Sequence, residues 1–172
     1  MWPGPYGNWG SRKYLISSID QSLKRMRLDY LDIFYHHRPD PDTPLEETIG
    51  ALKQIQDQGK ALYVGISNYN ARQTEKAVEV AEKIGVKLLL NQFDYSIFDL
   101  WSEEENLLGT LTESEMGSII FSPLSQGLLT DKYLGGIPED SRAAKESGFL
   151  KKENITAEKL EKVRKLNDIA AE

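Results

Sequence analysis

The sequence predicts an α/β fold, and more specifically about half of a parallel (β/α)8 barrel. Four short apolar segments follow one another about 30 residues apart, which is the repeat length of a βαβ unit. They are nearly continuous apolar runs, which are typical of parallel strands covered on both faces, and helical patterns separate them. The predicted strands are Leu31–His36, Leu62–Ser67, Leu88–Gln92 and Ser118–Pro123.

The helices on either side of the first strand have clear boundary signals. Ser11 is a candidate N-cap for the first helix. Thr43 is a candidate N-cap for the second, with Pro44 at its first position and Glu46 closing a capping box, and Gly59 ends it. Their predicted inner faces are Leu15, Ile16, Ile19, Leu23 and Met26 in the first helix, and Leu45, Ile49, Leu52 and Ile55 in the second.

Three more helices complete the alternation. The third begins near Asn70, the fourth begins at Ser102 with Glu105 completing a capping box, and the last begins at Thr156. The residues expected to be buried are Ala77, Val80, Ala81 and Ile84 in the third helix, Leu107, Leu108 and Leu111 in the fourth, and Leu160, Val163, Leu166 and Ile169 in the last.

The length of 172 residues suits one domain, 1–172. Within it, residues 128–155 contain Gly135, Gly136, Pro138 and many charges but no convincing strand. We therefore expect a long cofactor or lid loop there.

A doubly wound sheet and a barrel both fit this alternation of strands and helices. No Gly-x-Gly-x-x-Gly follows a predicted strand, which disfavours the doubly wound dinucleotide fold. Polar residues do follow the strands, where barrels carry their sites. They are His36–Arg38, Ser67–Asn68, Asn91–Gln92 and Ser122. Because a closed barrel needs eight strands, four predict a partial barrel.

Composition excludes several classes of function. The net charge of −6 disfavours binding to a nucleic-acid backbone. The absence of cysteine excludes disulfides and cysteine-based metal sites, and we expect no metal site and a cytoplasmic protein. No apolar run approaches the length of a membrane span, so we expect no membrane association.

Four segments, in order, resemble strands four to seven of the aldo-keto reductases. They are residues 32–39 (DIFYHHRP), 59–69 (GKALYVGISNY), 91–96 (NQFDYS) and 121–133 (FSPLSQGLLTDKY). Residues 2–7 (WPGPYG) and 38–40 (RPD) most resemble the bacterial L-glyceraldehyde 3-phosphate reductase subgroup, which is similar to voltage-gated potassium channel β-subunits. The resemblance implies hydride transfer from NADPH to a small aldehyde or ketone, with glyceraldehyde 3-phosphate and methylglyoxal as candidate substrates.

The resemblance also implies roles for individual residues. His37 matches the histidine that hydrogen-bonds the substrate carbonyl, and the adjacent His36 then faces the other way and is structural. Other positions match the NADP(H) site. The residues that bind the nicotinamide carboxamide are matched by Ser67, Asn68 and Gln92, and the aromatic that stacks on the nicotinamide is matched by Phe121. The pyrophosphate loop is matched by Ser122, Leu124, Gln126 and Gly127. The cations that reach the cofactor phosphates are matched by Lys132 and Arg142, and the substrate loop is matched by Trp2 and Tyr6.

Each assignment has a structural alternative. Taken singly, His37, Ser67 and Asn68 are ordinary strand-end and turn residues, and Phe121 is a core aromatic. Lys132 and Arg142 are alternatively solvated charges in a loop.

The family's catalytic tetrad is aspartate, tyrosine, lysine and histidine. Of these four, only the histidine has a match in this chain, which is His37. Nothing before Tyr30 resembles the other three. We therefore expect this chain to be a middle portion of a reductase that is inactive in isolation.

Three further possibilities remain open. The chain could be a truncated cofactor-binding or interaction module resembling a channel β-subunit. It could also be a homo-oligomer in which two half-barrels pair through their sheet edges. A phosphate-binding barrel unrelated to the aldo-keto reductases is the least favoured of these possibilities.

Overall fold

The computed structural model describes residues 9–172, which divide into two compact units. The first comprises the described residues up to Asp94 together with Leu100–Phe121, and the second comprises Tyr95–Asp99 and Ser122–Glu172.

The first unit alternates helices and strands along the chain. Its helices are α1 (Arg12–Met26), α2 (Leu45–Asp57), α3 (Ala71–Lys83), α4 (Trp101–Glu104) and α5 (Leu107–Glu113). Its strands are β1 (Leu31–His36), β2 (Ala61–Ser67), β3 (Leu88–Asp94) and β4 (Gly117–Phe121).

The four strands form one open, parallel sheet in the order β1-β2-β3-β4. This arrangement confirms the predicted α/β class and is the arrangement of a partial (β/α)8 barrel. The register between β2 and β3 shifts between Val64 and Ile66, where Gly65 lets the strands approach closely. A Cβ at Gly65 would lie 2.8 Å from the Leu90 carbonyl oxygen.

The core of this unit lies between the sheet and its helices. One buried cluster joins Leu15, Ile19, Leu23, Ala51, Ile55 and Ala61, which are apolar positions of α1, α2 and β2. The helical spacing of the predicted faces of α1 and α2 places these side chains on the buried side. Met26, predicted for the same face of α1, is instead half exposed.

Two predicted helix starts are wrong. Pro44, not Thr43, is the N-cap of α2, because the Thr43 hydroxyl donates to Asp40 Oδ2 at 2.6 Å. Ser102 lies inside α4 rather than capping a longer helix. Asn106, in the left-handed conformation, separates α4 from α5.

Besides Met26, two further predicted burials are wrong, whereas the predicted N-cap Ser11 and the predicted helix starts at Asn70 and Thr156 are confirmed. Leu108 on α5 and Ile169 on the last helix are exposed. Ser11, Asn70 and Thr156 each accept a backbone N–H within the first turn of their helices.

The second unit has its own buried cluster and contains α6 (Ala157–Ala170). Leu128, Tyr133, Ala143 and Leu150 form the cluster, and residues 128–155, all described, contain short 3₁₀ turns and no strand. Within the range 9–172, no helix is long and apolar enough to cross a membrane.

Candidate active site

The two adjacent histidines at the end of β1 face opposite ways, as strand geometry requires. His36 is fully buried, and its Nδ1 lies 2.9 Å from the Tyr69 hydroxyl. His37 follows the strand and is exposed. His36 therefore stabilises the fold, while the imidazole of His37 is open to a ligand.

Asn68 connects the ends of three strands. Its Nδ2 donates to the His37 carbonyl oxygen at 2.8 Å, and its backbone N–H donates to the Gln92 carbonyl oxygen at 2.7 Å. Its φ of 59° places it in the left-handed region, which asparagine tolerates better than most residues. His37, Asn68 and Gln92 are consequently held together at the carboxyl edge of the sheet.

Ser67, the last residue of β2, connects β2 to β3 by hydrogen bonds. It is buried, and its hydroxyl donates to the Gln92 carbonyl oxygen at 2.9 Å and accepts from Asn68 Nδ2 at 3.0 Å. Because its proton is already used, Ser67 could serve a bound molecule only as an acceptor.

The amide groups at this edge fit a carboxamide ligand. The side chain of Gln92 is half-buried and makes no hydrogen bond to another described residue, and Asn68 Oδ1 has none either. A carboxamide needs an acceptor for its NH2 and a donor for its carbonyl. Gln92 supplies both, and Asn68 Oδ1 supplies a second acceptor.

Phe121 ends β4 at the same edge, in register with Asp94 of β3. It is 37% exposed, so it is not the core aromatic of the structural alternative. Its ring is accessible to a flat ligand.

The second unit brings the predicted phosphate-binding residues together. A cleft of about 480 Å³ is lined by Ser122, Leu124, Gln126, Gly127, Lys132 and Arg142, with Pro123, Thr130 and Tyr133. Lys132 lies 4.0 Å from the exposed carboxylate of Asp140, and Arg142 is exposed with no ion pair in the described range. Two cations on one cleft suit a phosphorylated ligand.

A polar clamp at the end of β1, comprising Gly10, Asp40, Thr43 and Thr48, escaped the sequence analysis. Asp40 Oδ2 accepts from the Gly10 N–H at 2.8 Å as well as from Thr43, and the Thr48 hydroxyl donates to the Gly10 carbonyl oxygen at 2.9 Å. A Cβ at Gly10 would lie 2.6 Å from Thr48 Oγ1, so a side chain there would displace Thr48. An acidic residue three positions before a threonine was the available signal, although its partner Gly10 lies 30 residues away.

The environments of the two histidines set their charge. Burial lowers the pKa of His36 to about 4 against the opposing influences of the Trp9 carbonyl and Asp40. Burial is the largest cause that lowers the pKa of His37 from 6.5, and the positive charge of Arg38 acts in the same direction. Both imidazoles are therefore neutral at pH 7, which leaves His37 able to donate a hydrogen bond.

Two predicted site residues, Trp2 and Tyr6, lie outside the described residues. In the part of the chain that the structure covers, no group of three or more histidine, cysteine or acidic residues could hold a metal ion.

Comparison with known protein families identifies the family of this chain. The sequence model described as "Aldo/keto reductase family" matches residues 1–172. The chain belongs to the aldo/keto reductase family.

Several curated members of the family are similar over nearly the whole chain. The L-glyceraldehyde 3-phosphate reductases of Escherichia coli K12 and O157:H7 are each 50% identical over 173 residues, covering 99% of this chain and 50% of those proteins. A protein of Arabidopsis thaliana named probable voltage-gated potassium channel subunit beta is 38% identical over 173 residues, covering 99% of this chain and 53% of its own length. The chain thus spans about half the length of the curated relatives it matches.

Membership of the aldo/keto reductase family confirms the resemblance that the four segments carry. It covers those segments and also residues 2–7, where Trp2 and Tyr6 lie. The roles of the individual site residues stay predictions.

Proposed function

We propose that this chain supplies the cofactor-binding and carbonyl-orienting part of an NADP-dependent reductase of small aldehydes and ketones. The observation that carries the proposal is the hydrogen-bonded set at the carboxyl edge of the sheet. There Asn68 joins His37 to Gln92, so a carbonyl-binding imidazole and carboxamide-binding amides share one edge.

His37 is suited to orient a carbonyl substrate. Its lowered pKa keeps it neutral, so its N–H can donate to a carbonyl oxygen and to the alkoxide that develops there. When bound, the nicotinamide supplies the hydride, and the residues of the chain supply only orientation and hydrogen bonds.

The charges of the second unit favour NADP over NAD. Lys132 and Arg142 both line its cleft, and an additional phosphate on the cofactor interacts favourably with such cations. Glyceraldehyde 3-phosphate and methylglyoxal are the candidate substrates, the first because two 50%-identical relatives carry its name.

A titration of the 172-residue chain with NADPH, followed by cofactor fluorescence, tests the binding proposal. Gln92→Leu removes the free amide, and we expect it to weaken binding roughly tenfold, the effect of losing one to two hydrogen bonds. Gln21→Leu, on an exposed position of α1, is the matched control. Failure of NADPH to bind at high micromolar protein, or equal affinities for the two variants, would contradict the proposal.

Cofactor preference is tested by comparing NADPH with NADH. Replacing Lys132 and Arg142 together with glutamine should weaken NADPH binding more than NADH binding. A parallel loss for both cofactors would place these cations away from the phosphate that distinguishes them.

The assignment of catalysis is tested with glyceraldehyde 3-phosphate and methylglyoxal as substrates. Since aspartate, tyrosine and lysine of the tetrad have no match here, we expect essentially no turnover from this chain alone. Turnover that His37→Ala abolishes would overturn that expectation.

A non-catalytic module is the second candidate, favoured by the 38% identity to a protein named as a channel β-subunit. It also predicts NADPH binding without turnover. The two differ when a polypeptide carrying the three other tetrad residues is added, because only the reductase proposal expects activity to appear.

A further inference from the structure

Arg38, immediately after His37, has an unusual environment. Its guanidinium carbon lies 3.8 Å from the centre of the Trp9 ring, a cation–π stack. Its Nε is buried and has no hydrogen-bond acceptor in the described part of the chain. Stacking fixes the plane of a guanidinium without using its N–H donors.

The charge of Arg38 is not neutralised by a carboxylate. The ion pairs found among residues 9–172 involve seven other cations. Asp40 lies two residues away, but its oxygens accept from Gly10, Asp42 and Thr43. Residues 1–8 contain no acidic side chain. Arg38 therefore carries a positive charge that an external anion could satisfy.

The aromatic platform beneath Arg38 is itself fixed. Trp9 precedes Gly10, whose N–H and carbonyl oxygen are both bonded to the segment after β1, at Asp40 and Thr48. A ligand would thus meet a guanidinium whose orientation is set in advance, which reduces the entropy lost on binding.

Arg38 also lies close enough to His37 to influence it. Its charge is one of the causes, after burial, of the lowered pKa of the His37 imidazole. An anion held by Arg38 would therefore lie near the group proposed to bind the carbonyl.

We infer that Arg38 is a specificity-determining residue that binds an anionic group, a phosphate above all, on the carbonyl substrate. The inference rests on the proposed function and narrows it. A stacked guanidinium presents paired N–H donors that match a phosphate. Phosphorylated aldehydes such as glyceraldehyde 3-phosphate are then preferred to uncharged ones such as methylglyoxal.

The test uses NMR titration of the 172-residue chain. The sequence has two histidines, so two imidazole Cε1–H signals are expected, and that of exposed His37 reports on the site. Glyceraldehyde 3-phosphate should raise the pKa of His37, because a nearby anion favours the imidazolium. Unphosphorylated glyceraldehyde should leave it unchanged at the same concentration.

Variants identify the residue responsible. We expect Arg38→Gln to weaken the response roughly tenfold or more, and Arg38→Lys, which lacks the stacked fork, to weaken it about fivefold. Lys24→Gln, at an exposed position of α1, should leave the His37 response intact. If Arg38→Gln does not fold, the Arg38→Lys comparison decides.

Several results would overturn the inference. They are no His37 response to glyceraldehyde 3-phosphate, an unchanged response in the Arg38 variants, or equal affinity for inorganic phosphate, which would indicate a general anion site. NADPH fluorescence is measured on the same samples. Loss of NADPH binding with a retained His37 response would refute the proposed cofactor function alone, and the reverse would refute the role of Arg38 alone.

Discussion

Replacing Asp40 with asparagine should loosen the segment before α1 from the end of β1. Asp40 Oδ2 accepts from the Gly10 N–H at 2.8 Å and from the Thr43 hydroxyl at 2.6 Å. Asparagine has one oxygen, so an NH2 group would face either these donors or the Asp42 N–H. The variant keeps the size of the side chain and changes only its hydrogen bonding and charge.

The size of the effect follows from these bonds. A hydrogen bond to a charged group contributes about 1.5–3 kcal/mol. Asp40 is partly exposed, which favours the lower part of that range for each bond. We therefore expect the free energy of unfolding to fall by roughly 2–3 kcal/mol at pH 7.

The effect should depend on pH in a defined direction. Burial raises the pKa of Asp40, but hydrogen bonds from Thr43, Gly10 and Asp42 outweigh it and lower the pKa below 3.8. A carboxyl with a depressed folded pKa stabilises above its unfolded pKa, and this stabilisation is lost as pH falls through the folded value. The difference between wild type and Asp40→Asn should thus be full at pH 7 and shrink below about pH 4.

Urea denaturation followed by circular dichroism measures the difference at each pH. Asp42→Asn is the matched control, since Asp42 is exposed and only its backbone N–H takes part in the clamp. Equal stabilities for Asp40→Asn and Asp42→Asn, or a difference that does not change between pH 7 and pH 3, would refute the clamp.

Three other substitutions, each compared with a second variant, probe packing and the buried histidine by the same assay. Leu111→Ala should lower the free energy of unfolding by about 2–5 kcal/mol because Leu111 is buried. Leu108→Ala, on the exposed side of α5, should lower it by less than about 1 kcal/mol. Similar losses for the two variants would contradict the orientation of α5. Gly65→Ala should destabilise the protein by about 1–3 kcal/mol through contact of the new methyl group with the Leu90 carbonyl. Gly135→Ala, with open space around it, should be close to neutral. A neutral effect of Gly65→Ala would argue against the close approach of β2 and β3. Since the pKa of His36 is lowered to about 4, its neutral form stabilises the fold fully above pH 6.5, and on the order of 3 kcal/mol should be lost as pH falls from 6.5 towards 4. His36→Gln should flatten most of the stability profile in that range, and His37→Gln should flatten it less, because the pKa of the exposed His37 is lowered in the same direction. An unchanged profile for His36→Gln would show that His36 is not the group responsible.

The elements of the sheet were predictable because their signals are local. β1 begins and ends where its apolar run does, and the other three strands differ from their predicted bounds by one or two residues. The alternation of His36 and His37 between buried and open positions also follows from the two-residue period of a strand.

The errors arose where another interaction or a break close in sequence overrides the helical pattern. Thr43 has the sequence context of an N-cap, but Asp40 accepts its hydroxyl proton. Leu108 has the helical spacing of a buried residue, but a break at Asn106 changes which side of α5 is covered.

The arrangement around Arg38 needed tertiary structure because its partners are distant in sequence. Trp9 and Arg38 are 29 positions apart, and the stack between them exists because Gly10 docks on Asp40. Local patterns cannot indicate which of many arginines lacks an acidic partner.

The exposure of β4 affects the tendency of the protein to associate with itself. All five residues of Gly117–Phe121 are exposed, none is charged, and the strand pairs on one side only in the described sheet. Short uncharged β-rich edges of this kind readily stack with identical copies. We therefore expect association of this chain through β4 to increase with its concentration, independently of the free energy that holds each molecule folded.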